Sequence, residues 1–263
     1  MNKAESELPV SEMEKGLLSA QFVQQGLLPK KRHFERLFND YFALYLPQNI
    51  VSGDFYWVGQ HHDLKYIVVG DCTGHGISAS LLSVLALNLF EYTVMNKEIK
   101  KTNRILQEVD KRFIACFKDA HKVNFDNPWI DLSLVCIDEK QQKLYYSAAN
   151  RKMLHVKKGE ELLIYKGSNY PIGGWQIEES RNFEAQSISY KKGDVIYLGS
   201  DGFQDQFGGP DNKKYSSKRL HKILAKNADL PMKDLKKKLH NEFLDWKGTA
   251  IQVDDVCILG IRL

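Results

Sequence analysis

Five aspartates stand at predicted strand ends, most of them beside glycine: Asp54 in VSGDFYW, Asp71 in VVGDCTGHG, Asp201 in LGSDGF, and the pair Asp254-Asp255 in QVDDVCIL. Glycine permits tight turns and close backbone approach, so such positions can bring carboxylates from distant parts of the chain to one edge of a sheet. Carboxylate and carbonyl oxygens with few histidines suit magnesium or manganese, which keep several waters in an octahedral shell. The set therefore has the composition of a two-metal hydrolase. A single Gly-Asp pair is an ordinary turn, and Gly193-Asp194 in YKKGDVIY reads as one. His75, in GDCTGHG, adds an imidazole able to exchange a proton near neutral pH. Asp131, in WIDLSLVC, lies on an alternating apolar strand and reads either as a further site carboxylate or as a strand-end acid.

Positioning those side chains needs strands bounded by turns. FALYLP, DFYWVG and LKYIVVGD are rich in β-branched and aromatic residues and are separated by short polar turns. Two longer segments, ISASLLSVLALNLFEYTV (77–94) and NRILQEVDKRFIACF (103–117), repeat their apolar residues at helical spacing. A second β region follows in DLSLVCID, KLYYSAA, MLHV, ELLIY and DVIYLGSD, with hairpin-sized turns at DEKQQK and KKGE. Helices near 216–226 and 231–246 precede a last strand, DDVCILGIRL. Strands joined mainly by hairpins, with helices inserted in pairs, predict an α+β fold of antiparallel sheets covered by helices rather than a doubly wound parallel sheet. Ahead of it, residues 11–28 place Met13, Leu17, Leu18, Phe22, Leu27 and Leu28 on roughly one helical face, and Pro29 closes the segment. The parse is a helical extension over 1–28, with a regulatory role open to it, and one domain over 29–263.

Bulk properties narrow the function classes. The chain has 263 residues and a net charge of +4, most of the excess being lysine and arginine between 213 and 238, interleaved with apolar residues at helical spacing. That pattern reads as a solvated helix face rather than a nucleic-acid patch. No apolar run approaches the roughly 20 residues that span a bilayer, and Met1 to Glu14 is too acidic and polar for a signal peptide, so the expected location is cytoplasmic. Cys72, Cys116, Cys136 and Cys257 lack CxxC spacing and suggest neither a zinc site nor a disulfide framework.

The motifs also come in a telling order: a leucine-proline segment in QQGLLP (24–29), SGDF, GD followed by GHG, a middle strand pair, SDG, and DD in the final strand, with DQFGGP (205–210) and QVDD (252–255) between and around them. In that order they resemble the SpoIIE-like (RsbU-like) branch of the metal-dependent protein phosphatases, the phosphatase 2C superfamily. The resemblance implies an α-β-β-α sandwich, two mainly antiparallel sheets flanked by helix pairs. It implies two divalent cations, manganese or magnesium, that lower the pKa of an attacking water. Asp54 would contribute to the first and Asp71 would bridge both. The Cys72 backbone carbonyl would join the shell of the second, and Asp201 and Asp254 would ligate that ion or its neighbourhood; the role of Asp255 is less defined. His75 is the candidate general acid, although Thr73 and Gly74 separate it from Cys72, whereas in eukaryotic relatives the histidine directly follows the Asp-Gly pair. Ser200, Cys257 and Ile77-Ser78 replace residues common in this branch, without removing a ligand. No counterpart of the eukaryotic phosphate-binding arginine stands near the first strands, so the metals are expected to hold the phosphate.

The implied activity is hydrolysis of phosphoserine or phosphothreonine on a regulatory protein in bacterial signalling, a STAS-type anti-anti-sigma factor being the usual substrate of the branch. Two other readings are a catalytically silent regulatory module on the same fold, which predicts a missing ligand, and a small-molecule phosphohydrolase. No sensor segment is expected ahead of the catalytic region within these residues, the alternative being that they are an excised piece of a longer chain. Control is therefore expected from a homodimer or an activator engaging residues 11–28.

Overall fold

The structure, a computed structural model, describes residues 11–118, 127–159, 161–174 and 181–263. The chain begins with α1 (Glu12–Leu27), α2 (Lys31–Leu37), β1 (Tyr41–Leu46), β2 (Asp54–His61) and β3 (Leu64–Cys72). Next come α3 (Gly76–Glu91), continued by a π-turn over Tyr92–Asn96, and α4 (Thr102–Phe117). The middle strands are β4 (Trp129–Asp138), β5 (Lys143–Ala149), β6 (Lys152–Val156), β7 (Leu162–Lys166), β8 (Ile172–Gly173), β9 (Gln186–Ser189) and β10 (Val195–Gly199). The last part holds α5 (Gly202–Asp205), β11 (Phe207–Gly208), β12 (Lys213–Lys214), α6 (Ser217–Lys226), α7 (Met232–Lys247) and β13 (Val256–Arg262).

Two antiparallel sheets form, one in the order β1-β13-β10-β6-β7 and the other β2-β3-β4-β5-β9, with β8 appended to β4. The period-2 alternation of each strand decides what its two faces cover. On β3, Tyr66 and Val68 pack with Phe90, Ile105 and Val109 of the helix pair α3–α4, while Ile67 and Val69 join Ile196, Leu198 and Leu259 between the sheets. On β10 the neighbouring Tyr197 turns outward to Leu220, Leu224, Leu235 and Leu239 of α6 and α7. Three apolar layers thus separate four structural ones, and the architecture is the α-β-β-α sandwich expected.

Two details depart from the sequence reading. The helical run Gly76–Asn96 has 21 residues and a mean hydropathy of 1.5, long and apolar enough to span a bilayer by those measures alone. Half of it is buried, in packing against β2, β3 and α4, so its apolarity is that of a core helix. The apolar face of α1 is also not the one that covers the domain. Gln24 and, just beyond the helix, Leu28 are buried, whereas Leu18, Phe22, Val23 and Leu27 lie exposed, Phe22 by 81%. The side chain of Met13, placed on that face by the sequence, falls outside the described residues.

Candidate active site

Strand register assembles the first carboxylates. Asp54 opposes Asp71 across β2 and β3, and Asp71 opposes Asp131 across β3 and β4, so three acids stand in a row on adjacent strands. Directly opposed residues share a face with Cβ atoms about 5 Å apart. From the other sheet, Asp201 follows β10 and Asp254 precedes β13; these strands are antiparallel and pair Gly199 with Ile258, so both acids leave the same end. A side chain at Gly202 would run into the Asp255 carbonyl, which is why glycine follows Asp201 there.

Into this cluster reaches Arg151, from the turn between β5 and β6. Its guanidinium bonds to Asp71, pairs with Asp201 at 2.8 Å and lies 4.0 Å from Asp131, with 12% of the side chain exposed. Asn150, held at φ 55, donates to Asp131 Oδ1 at 2.9 Å. Asp54 is 1% exposed; Ser200 Oγ donates to its Oδ2 at 2.5 Å, and its Oδ1 is buried with no hydrogen-bond partner.

The electrostatics are those of too many acids for one cation. Burial first, then the Asp71 charge, pushes the Asp54 carboxyl well above the usual carboxylate range, against the pull of the Ser200 hydrogen bond. Burial drives Asp71 up to about 7; Arg151 opposes this, and Asp201, Asp254 and Asp131 add to it. Asp131 and Asp254 are raised by burial as well. For Arg151, burial works against the charge, but Asp71 and Asp201 outweigh it and hold the guanidinium above its usual value.

An excess of desolvated negative charge, together with an orphaned carboxylate oxygen on Asp54, is what a multivalent hard cation relieves. The residues therefore fit magnesium or manganese. Among the described residues no three of these acids offer oxygens all within 4.8 Å of one another, and Arg151 occupies the space between Asp71, Asp131 and Asp201.

The sequence family described as "Stage II sporulation protein E (SpoIIE)" matches residues 63–263, about three quarters of the chain. The chain belongs to the SpoIIE family. Among curated relatives it is 26% identical over 220 residues to the phosphoserine phosphatase RsbP of Bacillus subtilis, covering 82% of this chain and 50% of RsbP. The chain thus spans about half the length of that relative. Among solved structures it matches the SiaA-PP2C domain of Pseudomonas aeruginosa with a TM-score of 0.84 and 26% identity, over 96% of this chain and 97% of that one. The PP2C phosphatase domain of Bacillus subtilis SpoIIE, solved with a fragment of its regulatory domain, superposes with a TM-score of 0.67 at 19% identity, over 85% of this chain and 63% of that one.

With the SpoIIE-family fold in hand, the individual expectations can be placed. Asp54, Asp71, Asp131, Asp201 and Asp254 converge on one end of the two sheets. Asp255 faces elsewhere: its Oδ1 accepts from the Gln48 N–H and its Oδ2 from the Gly53 N–H, both at 2.7 Å, so it braces the loop that delivers Asp54. The Cys72 carbonyl lies against that same loop, where a Cβ on Gly53 would stand 3.0 Å from its oxygen. His75 is exposed at the start of α3, between Gly74 at φ 87 and Gly76 at φ 72, conformations that favour glycine. It makes no hydrogen bond to the carboxylates among the described residues. Asp194 does sit in a turn after Gly193 at φ 97, yet its carboxylate is buried, accepting from the N–H groups of Lys158 and Lys191 and pairing with His155 at 3.1 Å. The carboxylate thus ties the turn to β6 and its following loop, beyond what a plain Gly-Asp turn implies.

Arg151 is the residue that sequence reasoning missed. The sequence reading finds no arginine near the first strands and leaves the phosphate to the metals, whereas this one comes from the Asn150-Arg151 connection in the middle of the chain. The available signal was an Asn-Arg pair in a two-residue connection between two strong strands, here a crossing from one sheet to the other.

A second unforeseen feature links α1 to the site. Gln24, 3% exposed, donates through Nε2 to the Ser52 carbonyl at 2.6 Å and to Ser83 Oγ of α3 at 2.8 Å, while its Oε1 accepts from the Ser52 N–H at 3.1 Å. Ser52 Oγ in turn accepts from the Asp54 N–H at 3.1 Å.

Proposed function

We propose that this chain is a metal-dependent protein phosphatase that hydrolyses phosphoserine or phosphothreonine on a bacterial regulatory protein of the STAS type. The observation that carries the reading is the carboxylate set: five acids from two sheets meet at one edge with more negative charge than Arg151 balances. When bound, two divalent cations, manganese or magnesium, supply an activated water and offset the charge of the phosphate. In this reading Asp54 and Asp71 would hold the first ion, and Asp71, the Cys72 carbonyl, Asp201 and Asp254 the second, with Asp131 a further candidate. Ser200 holds Oδ2 of Asp54, and Asp255 fixes the loop behind it. Arg151 supplies the guanidinium that a phosphate dianion needs, and a cleft of about 260 Å³ beside it, lined by Lys152, Gln204, His221 and Asp201, gives a protein substrate room to approach. The buried packing of Gly76–Asn96 supports a core helix and not a membrane span.

Turnover of a phosphoserine peptide, a phosphotyrosine peptide and sugar phosphates with manganese tests the reading. Hydrolysis confined to the phosphoserine peptide is expected; preference for the sugar phosphates would replace it with metabolite hydrolysis, and silence on all three with a binding module.

As general acid, His75 would protonate the departing serine oxygen. His75→Gln is then expected to lower kcat on the phosphoserine peptide by about 10²–10⁴-fold, with a smaller loss on p-nitrophenyl phosphate, whose leaving group needs no proton. Equal losses would assign His75 to holding the turn.

The helix α1 supplies control in this reading, with residues 1–28 as its regulatory extension. Its exposed Leu18, Phe22, Val23 and Leu27 receive a second copy of the chain, and Gln24 relays that contact through Ser52 to Asp54. Gln24→Leu leaves the buried Ser52 N–H without its Gln24 acceptor, a loss of about 1–3 kcal/mol, and leaves the Ser52 carbonyl only the long 3.4 Å bond from Ser83 Oγ. Manganese dependence is expected to weaken severalfold in a protein that still unfolds cooperatively. Metal titration and sedimentation check this, and unchanged metal dependence would reduce α1 to packing.

A further inference from the structure

We infer that His61, His62 and Glu98 form a second metal site, for a borderline cation of the zinc type, at the opposite end of β2 from the carboxylates. β2 and β3 are joined by His62 and Asp63 alone, with His61 paired to Leu64. Successive side chains on a strand point to opposite faces. Here the two-residue turn puts His62 at φ 53, in the left-handed region, and the alternation breaks: the two imidazole centroids lie 4.2 Å apart at 60°. From the connection between the π-turn and α4 comes Glu98, also left-handed at φ 56. One ligand atom from each of the three residues lies within 4.8 Å of the other two.

Distances favour a bridging ion over a direct bond. His61 Nε2 and Glu98 Oε1 are 3.6 Å apart, beyond hydrogen-bond length. Two donors about 2.0–2.1 Å from a tetrahedral zinc stand roughly 3.3 Å from each other. The His61 side chain is only 11% exposed, and its Nδ1 is buried with no partner. A largely buried imidazole with neither nitrogen in a good hydrogen bond is a costly arrangement that a cation would repair.

The chemistry of the donors sets the class of ion. Two imidazoles and one carboxylate suit zinc and its neighbours, whereas the all-oxygen cluster suits magnesium or manganese. Seven residues of extended strand separate His61 from Asp54, about 23 Å, so the two sites share no ligand. A cation here would tie the β2–β3 hairpin to the connection between α3 and α4.

The test uses the whole chain with millimolar magnesium present to occupy the carboxylate cluster. Cobalt(II), whose visible bands report four-coordinate nitrogen–oxygen sites, is titrated into the wild type, His62→Asn and Glu98→Gln, asparagine being chosen because it tolerates the left-handed backbone. Thermal unfolding is followed in parallel with micromolar zinc. One equivalent of intense cobalt bands and a zinc-dependent Tm rise of about 5 °C are expected in the wild type, both lost in the two variants. Weak six-coordinate bands in the wild type, or bands and Tm rise equal in all three proteins, would overturn the site. Neither readout depends on phosphatase activity.

Discussion

Asp71→Asn is expected to abolish at least about 10³-fold of the manganese-dependent turnover while making the metal-free protein more stable at pH 8. The activity loss follows from position. Asp71 is the middle acid of the row Asp54–Asp71–Asp131 and bonds to Arg151, and in the proposed reading it is the carboxylate that would serve both cations. Charge stabilisation by bound metal is worth several kcal/mol in the transition state, and each 1.36 kcal/mol is tenfold in rate. The stability gain follows from burial. In the metal-free protein Asp71 titrates at about 7, against about 3.9 in an unfolded chain. The folded state therefore binds the proton more tightly, and stability falls as pH rises from about 4 through 7. Asparagine resembles the protonated acid and does not incur this loss. Denaturant unfolding in chelator at pH 5 and pH 8 should show wild type losing a few kcal/mol on the variant at the higher pH, with Asp201→Asn as an activity comparison. Manganese should reverse the order, because only the wild type binds both ions tightly and gains by mass action. Near-normal turnover of Asp71→Asn at saturating metal would refute the assignment.

The same burial explains what could and could not be read from the sequence. Strands with period-2 alternation and the two long apolar helices announce themselves, because one face of each must be covered, and their observed bounds lie close to those expected. The acids beside Gly53, Gly70 and Gly202 were legible because a position with no room for a side chain leaves a local mark: Cβ atoms on Gly70, inside β3, and on Gly202, at the start of α5, would meet the Phe55 ring and the Asp255 carbonyl. Asp255, whose role the sequence leaves undefined, accepts backbone N–H groups on both oxygens from Gln48 and Gly53, some 200 positions away in the chain, contacts that no local pattern announces. Gln24 is the reverse case. A helical pattern puts apolar residues inward, so a buried glutamine amid Leu18, Phe22 and Leu27 reads as surface until its three hydrogen bonds to Ser52 and Ser83 are seen. The short strands β8, β9, β11 and β12 leave too few residues for any periodicity to register.

Arg151→Ala should produce effects of opposite sign on binding and on catalysis. The guanidinium lies between the acids, bonded to Asp71 and Asp201, and it competes with any cation for the same oxygens. Hydrogen bonds to charged groups contribute about 1.5–3 kcal/mol, so relieving that competition should tighten manganese binding by about tenfold or more. Removing the one positive charge in the cluster also leaves buried carboxylates uncompensated, and the metal-free variant is expected to lose about 3 kcal/mol of stability, a loss that metal restores. Turnover should nevertheless fall by about 10²-fold at saturating metal, since a positioned donor to developing phosphoryl charge is typically worth that much. Arg151→Lys separates the two effects: it keeps the charge but not the planar fork, so metal affinity should stay near wild type while kcat remains low. Calorimetric titration of manganese beside steady-state kinetics distinguishes these outcomes. Weaker metal binding by Arg151→Ala would mean that the guanidinium organises the acids instead of competing for them, and unchanged kcat would remove Arg151 from the phosphate.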